Sequence, residues 1–240
     1  MTHLNPFHRN PRAVNALDHR PRRTRAAVAG LLTLVAVLLS GCDNGPHNRA
    51  AVVLIDISGE YAAEIEKARR VTSLLLGRLD PGDSIAVAFI DNTSYSDRNF
   101  IARVDFDHRP SVANDQKRAV RKELDAFLDR FSVPSAHSDL TGGILLARDF
   151  LERTRAADKQ IFLLSDLDED LKPELDRSGP LELDGIEVVA VNVIRRDRDN
   201  IDPAHYRQRV SRWQQRVKDD GGQWDMVNEI DRLQHMVAQR

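Results

Sequence analysis

Three short stretches of the chain carry carboxylate and hydroxyl side chains of the kind that bind hard cations. They are Asp56-Ile57-Ser58-Gly59-Glu60, Ser138-Asp139-Leu140-Thr141-Gly142-Gly143 and Ser165-Asp166-Leu167-Asp168-Glu169-Asp170. Oxygen ligands of these types suit Mg²⁺, with Mn²⁺ or Ca²⁺ as alternatives. The stretches are far apart in the sequence, so a cation site requires a fold that brings them to one point.

An alternation of strand and helix patterns between residues 51 and 200 predicts such a fold. The predicted strands are 51–57, 84–91, 99–106, 160–165 and 185–194, and the predicted helices are 61–79, 115–131 and 140–154. Most of the strands are apolar throughout, as buried parallel strands are, whereas 99–106 alternates as an edge strand does. Strands separated by helices indicate a parallel sheet covered on both faces. Ligands of such sheets bind outside the carboxyl ends of the strands, where the three stretches should meet.

The tail from 201 to 240 is predicted to form two helices, divided by Gly221-Gly222, that pack on the domain. Trp213 belongs to the first apolar stripe and Trp224 to the second. Tryptophans on a helical stripe are most often packing residues, so we expect them to dock the tail onto the sheet. A partner-binding surface is the alternative.

Residues 1–41 are organised like a secretory signal peptide. Four arginines, at positions 20, 22, 23 and 25, precede an uncharged apolar run from 26 to 39. That run is too short to span a bilayer, which takes about 20 residues. The sequence Leu39-Ser40-Gly41-Cys42 resembles a bacterial lipobox, in which the cysteine is lipidated and becomes the first residue of the mature protein. Cys42 is the only cysteine, so the exported part cannot form an internal disulfide.

The segment 42–50 contains Gly and Pro among polar residues and is predicted to be a tether. Asp43 follows the lipobox cysteine directly. An acidic residue at that position resembles the signal that retains lipoproteins at the inner membrane of Gram-negative bacteria. The prediction is therefore a lipid-anchored protein on the periplasmic face of the inner membrane.

The charge distribution argues against a nucleic-acid partner. Residues 1–41 contain six arginines and one aspartate, so the rest of the chain has 29 basic and 36 acidic residues. A domain with a formal charge near −7 lacks the basic surface that phosphate binding needs. The combination of 41% hydrophobic and 30% charged residues also excludes a polytopic membrane protein and a wholly disordered chain.

At the three polar stretches the sequence resembles a von Willebrand factor type A (VWA) domain. That family carries a metal-ion-dependent adhesion site (MIDAS), written DxSxS, followed by a distant Thr and a distant Asp. The resemblance covers about residues 51–200. It implies a Rossmann-like three-layer α/β/α fold whose sheet is mostly parallel with one antiparallel edge strand. It also implies a divalent metal at the upper rim, coordinated in addition by a carboxylate from a partner protein.

The match to the family motif is incomplete. Asp56 and Ser58 occupy the first two positions of DxSxS, but Glu60 replaces the final Ser. Asp166 matches the last position, followed by Leu167 where the family usually has Gly. A Glu60 carboxylate on the metal would neutralise it and block the partner's position. Alternatively, Glu60 only interacts with the helix N-terminus and no metal binds.

Alignment of the second stretch places Ser138 at the position of the family's Thr, and a shift of three residues would place Thr141 there instead. Ser138 is preferred because it precedes the predicted helix. Asp168, Glu169 and Asp170 are predicted to form a solvated acidic loop. The predicted metal ligands are Asp56, Ser58, Glu60, Ser138 and Asp166, with Thr141 as the alternative to Ser138.

The predicted function is protein–protein interaction by a membrane-anchored lipoprotein, through a divalent metal or as a metal-free scaffold. The protein partner is not identified, and no catalytic residues are predicted. A metal-dependent phosphohydrolase using Asp56 with the acidic cluster of Asp166, Asp168 and Asp170 is a weaker alternative. Ser58 stands where haloacid-dehalogenase-like phosphatases need a second Asp, so the sequence favours a protein that is not an enzyme.

Overall fold

The computed structural model describes residues 48–238. Its strands are β1 Arg49–Asp56, β2 Ser84–Ile90, β3 Phe100–Asp105, β4 Asp158–Leu164, β5 Ile186–Val191 and β6 Gln223–Val227. Its α-helices are α1 Glu66–Leu76, α2 Pro110–Arg130, α3 Leu140–Arg153, α4 Asp197–Ile201, α5 Pro203–Asp219 and α6 Ile230–Ala238. Short 3₁₀ helices span Gly59–Glu64 and Asp97–Asn99. The predicted signal peptide, the lipidation site Cys42 and most of the predicted tether lie outside the described residues.

The six strands form one sheet in the order β3-β2-β1-β4-β5-β6. Every neighbouring pair is parallel except β2 and β3, which are antiparallel. The predicted mostly parallel sheet with one antiparallel edge strand is therefore confirmed. Strand β1 lies at the centre, between β2 and β4.

Both faces of the sheet are buried, which explains why the central strands are apolar throughout. Along β1, Val53 and Ile55 belong to one core and Val52 and Leu54 to the other. Helices α1, α2 and α6 cover the first face, and α3 and α5 cover the second. This is the expected three-layer arrangement. Gly143 allows the close approach of α3, because a Cβ there would lie 2.7 Å from a side-chain carbon of Ile90.

The prediction of two tail helices is wrong for residues 223–227, which form the edge strand β6. Trp224 and Val227 are three residues apart, which fits a helix, but on a strand the same spacing places them on opposite faces, and both faces of this sheet are buried. In the structure Trp224 packs on one core and Val227 on the other. The free edge of β5 accepts this segment as a sixth strand, with Trp224 opposite Val188. The short helix α4 was not predicted either. No helix within residues 48–238 is long and apolar enough to span a membrane.

Trp213 docks α5 onto the sheet, and its replacement should be costly. The side chain is fully buried and its Nε1 donates a hydrogen bond to the Leu167 carbonyl at 3.1 Å. We expect Trp213→Ala to reduce the free energy of unfolding by about 3–5 kcal/mol, the usual cost of removing a buried aromatic ring. Trp224 on the edge strand is only half-buried and serves as the control. Urea denaturation of both alanine variants should show a clearly smaller loss for Trp224→Ala, and equal losses would contradict this role of Trp213.

Candidate functional site

The carboxylate of Asp56 is the centre of a hydroxyl cluster at the carboxyl edge of the sheet. It ends the central strand and is fully buried. Its Oδ1 accepts hydrogen bonds from the Ser58 amide at 3.0 Å and from the Ser58 hydroxyl at 2.6 Å. Its Oδ2 accepts from the hydroxyls of Ser138 at 3.1 Å and Ser165 at 2.7 Å. The three polar stretches therefore meet at one carboxylate.

Backbone contacts hold these stretches together. Ser58 forms a β-bridge with Ser135 in the connection between α2 and α3. Ser138 forms a second bridge with Asp170, through two hydrogen bonds of 3.0 and 3.1 Å. The 3₁₀ helix after Ser58 begins at Gly59, which has a φ of +47°, a conformation that favours glycine. The cluster is thus built on a paired loop framework and not on side chains alone.

Burial changes the acidity of Asp56. Loss of solvation raises the pKa of Asp56 to about 6, and the negative charge of Asp166 acts in the same direction. Hydrogen bonds from Ser58 and Ser165 stabilise the charged form and limit this rise in pKa.

Asp166 lies two residues beyond the end of β4, near Asp56. Its Oδ1 accepts a hydrogen bond from the Asp168 amide at 3.0 Å. Its Oδ2 faces the guanidinium of Arg196, with 3.5 Å between Oδ2 and Nε. Burial raises the pKa of Asp166, and the positive charge of Arg196 opposes that rise. Asp166 is therefore turned towards a positive side chain of the same domain.

The residue after Asp166 has an unusual backbone conformation. Leu167 has a φ of +64°, in the left-handed region that costs a residue with a Cβ roughly 1–2 kcal/mol. The burial of its side chain helps to hold it in this conformation. Its amide also donates a hydrogen bond to the Ser165 hydroxyl at 2.9 Å, and its carbonyl accepts one from Trp213. Where the family usually has Gly, this chain therefore has a leucine in a left-handed conformation.

Glu60 is exposed and turned towards Arg196, with 3.7 Å between Oε1 and Nε. Arg196 also forms a close ion pair with Asp168, and Arg198 pairs with the same carboxylate. One guanidinium, that of Arg196, therefore contacts the carboxylates of Glu60, Asp166 and Asp168.

The prediction of a solvated acidic loop is wrong for two of its three residues. The Asp168 side chain is 17% exposed because Arg196 and Arg198 cover it. Glu169 is also largely buried and accepts a hydrogen bond from the Thr141 amide at 2.7 Å. Asp170, by contrast, is 64% exposed. These pairings come from segments distant in the sequence, which explains why the local pattern did not show them.

The two alternatives for the middle hydroxyl occupy different places. The Ser138 hydroxyl belongs to the cluster on Asp56. Thr141 lies in the first turn of α3, and its hydroxyl accepts a hydrogen bond from Arg216 at 2.8 Å. The structure therefore brings Ser138, and not Thr141, to the hydroxyl cluster.

Several residues of this edge were missed by sequence reasoning. Ser165 belongs to the third polar stretch, and its position next to Asp166 was the available signal. Arg196 follows β5 in an irregular segment, where no local pattern indicates a role. Asp139 is fully buried and paired with Arg177 at 2.8 Å. Burial opposes its charged form, but hydrogen bonds from Arg177 and two backbone amides together lower the pKa of Asp139.

A cleft of about 360 Å³ opens above the cluster. Its lining includes Ser58, Ser138, Asp166, Asp168, Arg196 and Arg198. The floor thus combines hydroxyls with oppositely charged side chains that are paired with each other.

The oxygen atoms here suit a divalent ion in type but not in arrangement. Both oxygens of Asp56 accept hydrogen bonds, and Asp166 is directed at the Asp168 amide and at Arg196. Within residues 48–238, no group of three or more His, Cys, Asp or Glu side chains could hold a metal ion. With Arg196 in this position the residues do not fit a divalent cation.

Comparison with known proteins concerns the fold. No protein-family model matches the sequence, and no curated protein does. Among solved structures, the conserved hypothetical protein BatB from Bacteroides thetaiotaomicron matches over 80% of this chain and 96% of that chain, with 16% identity and a TM-score of 0.50. The sheet order and the antiparallel edge strand also agree with the arrangement that the sequence resemblance implied. The fold is VWA-like.

Two further structures resemble the chain less closely. An aerotolerance-related membrane protein from Bacteroides fragilis NCTC 9343 matches over 80% of this chain and 97% of that chain, with 16% identity and a TM-score of 0.46. A von Willebrand factor type A structure from Catenulispora acidiphila matches over 80% of this chain and 42% of that chain, with 13% identity and a TM-score of 0.48.

The raised pKa of Asp56 should be visible as a pH dependence of stability. Because the folded state holds this proton more tightly than the unfolded chain, the Asp56 contribution is present below pH 4 and is lost as the pH rises through about 6. A shift from 3.8 to about 6 corresponds to roughly 3 kcal/mol, at about 1.4 kcal/mol per pKa unit. In Asp56→Asn the side chain is neutral at every pH, so this pH-dependent contribution to the free energy of unfolding should be absent.

Urea denaturation of wild type and Asp56→Asn, with chelator present, measures the difference. As the pH falls from 8 to 4, the free energy of unfolding of wild type should rise by roughly 3 kcal/mol relative to that of Asp56→Asn. A difference that does not change with pH would show that Asp56 titrates as in the unfolded chain.

Proposed function

We propose that this chain is a lipid-anchored binding module whose VWA fold captures a protein partner at the carboxyl-edge cleft. The observation that carries the proposal is the position of the exposed large apolar side chains. Within residues 48–238 these are Tyr95, Val133 and Ile201, which are 44%, 75% and 88% exposed. All three lie in connections at the carboxyl edge: after β2, between α2 and α3, and after β5. Single exposed apolar residues are common, but a concentration at one edge favours an interface.

The cleft and these side chains together have the composition of an interaction surface. Val133 belongs to the same connection as His137 and Ser138, which line the cleft. Ile201 lies in α4 together with the lining residue Arg198. The cores of protein–protein interfaces are more apolar than the rest of the surface and are enriched in arginine and in aromatic residues such as Tyr95.

Binding is favoured over catalysis by the state of Asp56. A phosphohydrolase would need this carboxylate to reach its substrate. In the structure the side chain is fully buried, and four hydrogen bonds surround its oxygens. The net acidic character of the domain likewise favours a protein partner over a nucleic acid.

A divalent ion at Asp56, Ser58, Ser138 and Asp166, with Glu60 nearby, stays a prediction. The gathering of two serine hydroxyls on Asp56 supports Mg²⁺, Mn²⁺ or Ca²⁺ as an alternative basis for the same binding function. It requires the Arg196 side chain to leave Asp166.

The proposed lipid anchor is compatible with the direction of β1. The chain enters the sheet at Arg49 and reaches Asp56 at the other end of the strand. Eight residues of strand span roughly 26 Å at about 3.3 Å per residue. A tether from Cys42 therefore joins the domain at the edge opposite the cleft.

A charge placed on the proposed surface should abolish partner binding. We expect Val133→Asp and Ile201→Asp to reduce recovery of the partner at least tenfold, since a buried unpaired carboxylate strongly opposes association. Ala119→Asp, at an exposed position of α2, is the matched control and should bind as wild type does. Crosslinking in envelope preparations, followed by quantitative mass spectrometry, measures the recovery. If all four proteins retain the same partners, the surface is wrongly assigned.

Lipidation of Cys42 should decide where the protein resides. Cys42→Ser removes the only thiol of the chain, so labelling with radioactive palmitate should disappear and the protein should leave the membrane fraction. Asp43→Ser keeps the cysteine and should remain labelled, and is expected to move from the inner to the outer membrane on a density gradient. Continued labelling of Cys42→Ser would contradict the anchor.

A further inference from the structure

The VWA-like site contains a cation of its own. The Arg196 guanidinium contacts Glu60 from the first polar stretch and Asp166 and Asp168 from the third. Its Nε lies 3.5 Å from Asp166 and 3.7 Å from Glu60. This side chain therefore bridges two of the three stretches from which metal ligands were predicted.

Hydrogen bonds with Asp199 and, through it, Arg209 hold the backbone of Arg196 in place. Its amide donates a hydrogen bond to Asp199 Oδ2 at 2.8 Å. Asp199 is fully buried and accepts two hydrogen bonds of 2.7 Å from Arg209. The Nε of Arg209 in turn donates to the backbone carbonyl of Asp166 at 3.1 Å. A closed series of contacts thus ties the backbone of Arg196 to the backbone of the carboxylate that its side chain faces.

A divalent ion and this guanidinium would compete for the same carboxylate. An ion coordinated by Asp166 at about 2.0–2.6 Å would lie within about 6 Å of Arg196, since the guanidinium is itself next to Oδ2. At that distance the two positive charges repel strongly in a partly buried site. The arginine also neutralises the carboxylates whose charge would attract the ion.

We propose that Arg196 is the resident cation of this site, so that it takes no divalent ion, and that loss of the arginine converts it into a divalent-metal site. Without the guanidinium, Glu60 and Asp166 lose their positive neighbour beside the hydroxyls of Ser58 and Ser138, and Asp168 keeps only its ion pair with Arg198. Those groups are hard oxygen donors with an excess of negative charge. The inference rests on the proposed function in one respect: with the arginine in place, the domain binds its partner without a metal ion.

Titration calorimetry with MgCl₂ and MnCl₂ on the detergent-solubilised full chain tests the proposal. Wild type should give no binding up to millimolar metal, and Arg196→Gln should bind at least one ion at least tenfold more tightly. Arg196→Lys keeps a positive charge and should behave as wild type. Arg198→Gln is the matched control, because Arg198 contacts Asp168 but neither Asp166 nor Glu60 in the ion pairs of the described residues. It should not acquire metal binding.

Two results overturn the proposal. One is metal binding by wild type that disappears in Asp56→Ala, which would show that the ion and the arginine coexist. The other is a folded Arg196→Gln, judged by circular dichroism, that binds no more metal than wild type. If Arg196→Gln does not fold, metal binding by wild type or by Arg196→Lys would still contradict the role of the arginine as the resident cation. These titrations contain no partner, so their failure is distinct from failure of the partner-binding test with Ile201→Asp.

Discussion

A buried carboxylate at the end of the central strand constrains the whole carboxyl edge. Asp56 is cut off from water, so its charge must be stabilised by protein donors. Three of its four hydrogen bonds come from serine hydroxyls, two of which lie 82 and 109 residues further along the chain. The loops that follow β1 and β4 and the loop that precedes α3 therefore meet at one side chain, and the backbone bridges of Ser58 and Ser138 add to this connection. Any function of this edge starts from that fixed geometry.

The next layer around this carboxylate is built from ion pairs. Arg196 joins the loop after β5 to those after β1 and β4. Arg209 on α5 and Arg177 clamp the buried carboxylates of Asp199 and Asp139. Loops at a sheet edge lack the ladder hydrogen bonds of strands, and buried charge pairs with well-placed donors are a way to give them a single conformation. This role explains why a domain with a formal charge near −7 keeps arginines in the middle of its acidic edge.

The fold could be predicted because its signals are local. Apolar runs such as 84–91 specify buried strands, and their alternation with helices specifies a parallel sheet. The error at β6 arose because apolar residues three apart fit both a helix and a strand that is buried on its two faces, and the pairing with β5 decides between them. The placement of Asp56, Ser58, Ser138 and Asp166 at one edge follows from the same topology. The contacts of Arg196 could not be predicted, because they join it to Glu60 across 136 positions and depend on the path of an irregular loop.

The pairing of charges on the cleft floor also affects how a partner would bind. Asp168 is already paired with arginines, and Glu169 accepts a hydrogen bond from a backbone amide. Asp166 accepts one from the Asp168 amide and faces Arg196. A partner's charged side chain would have to break these contacts, and exchanging one desolvated ion pair for another brings little net free energy. Val133 and Ile201, by contrast, lose water-exposed apolar area on contact at no such cost. In the proposed binding mode, the apolar rim therefore supplies affinity and the paired floor supplies shape.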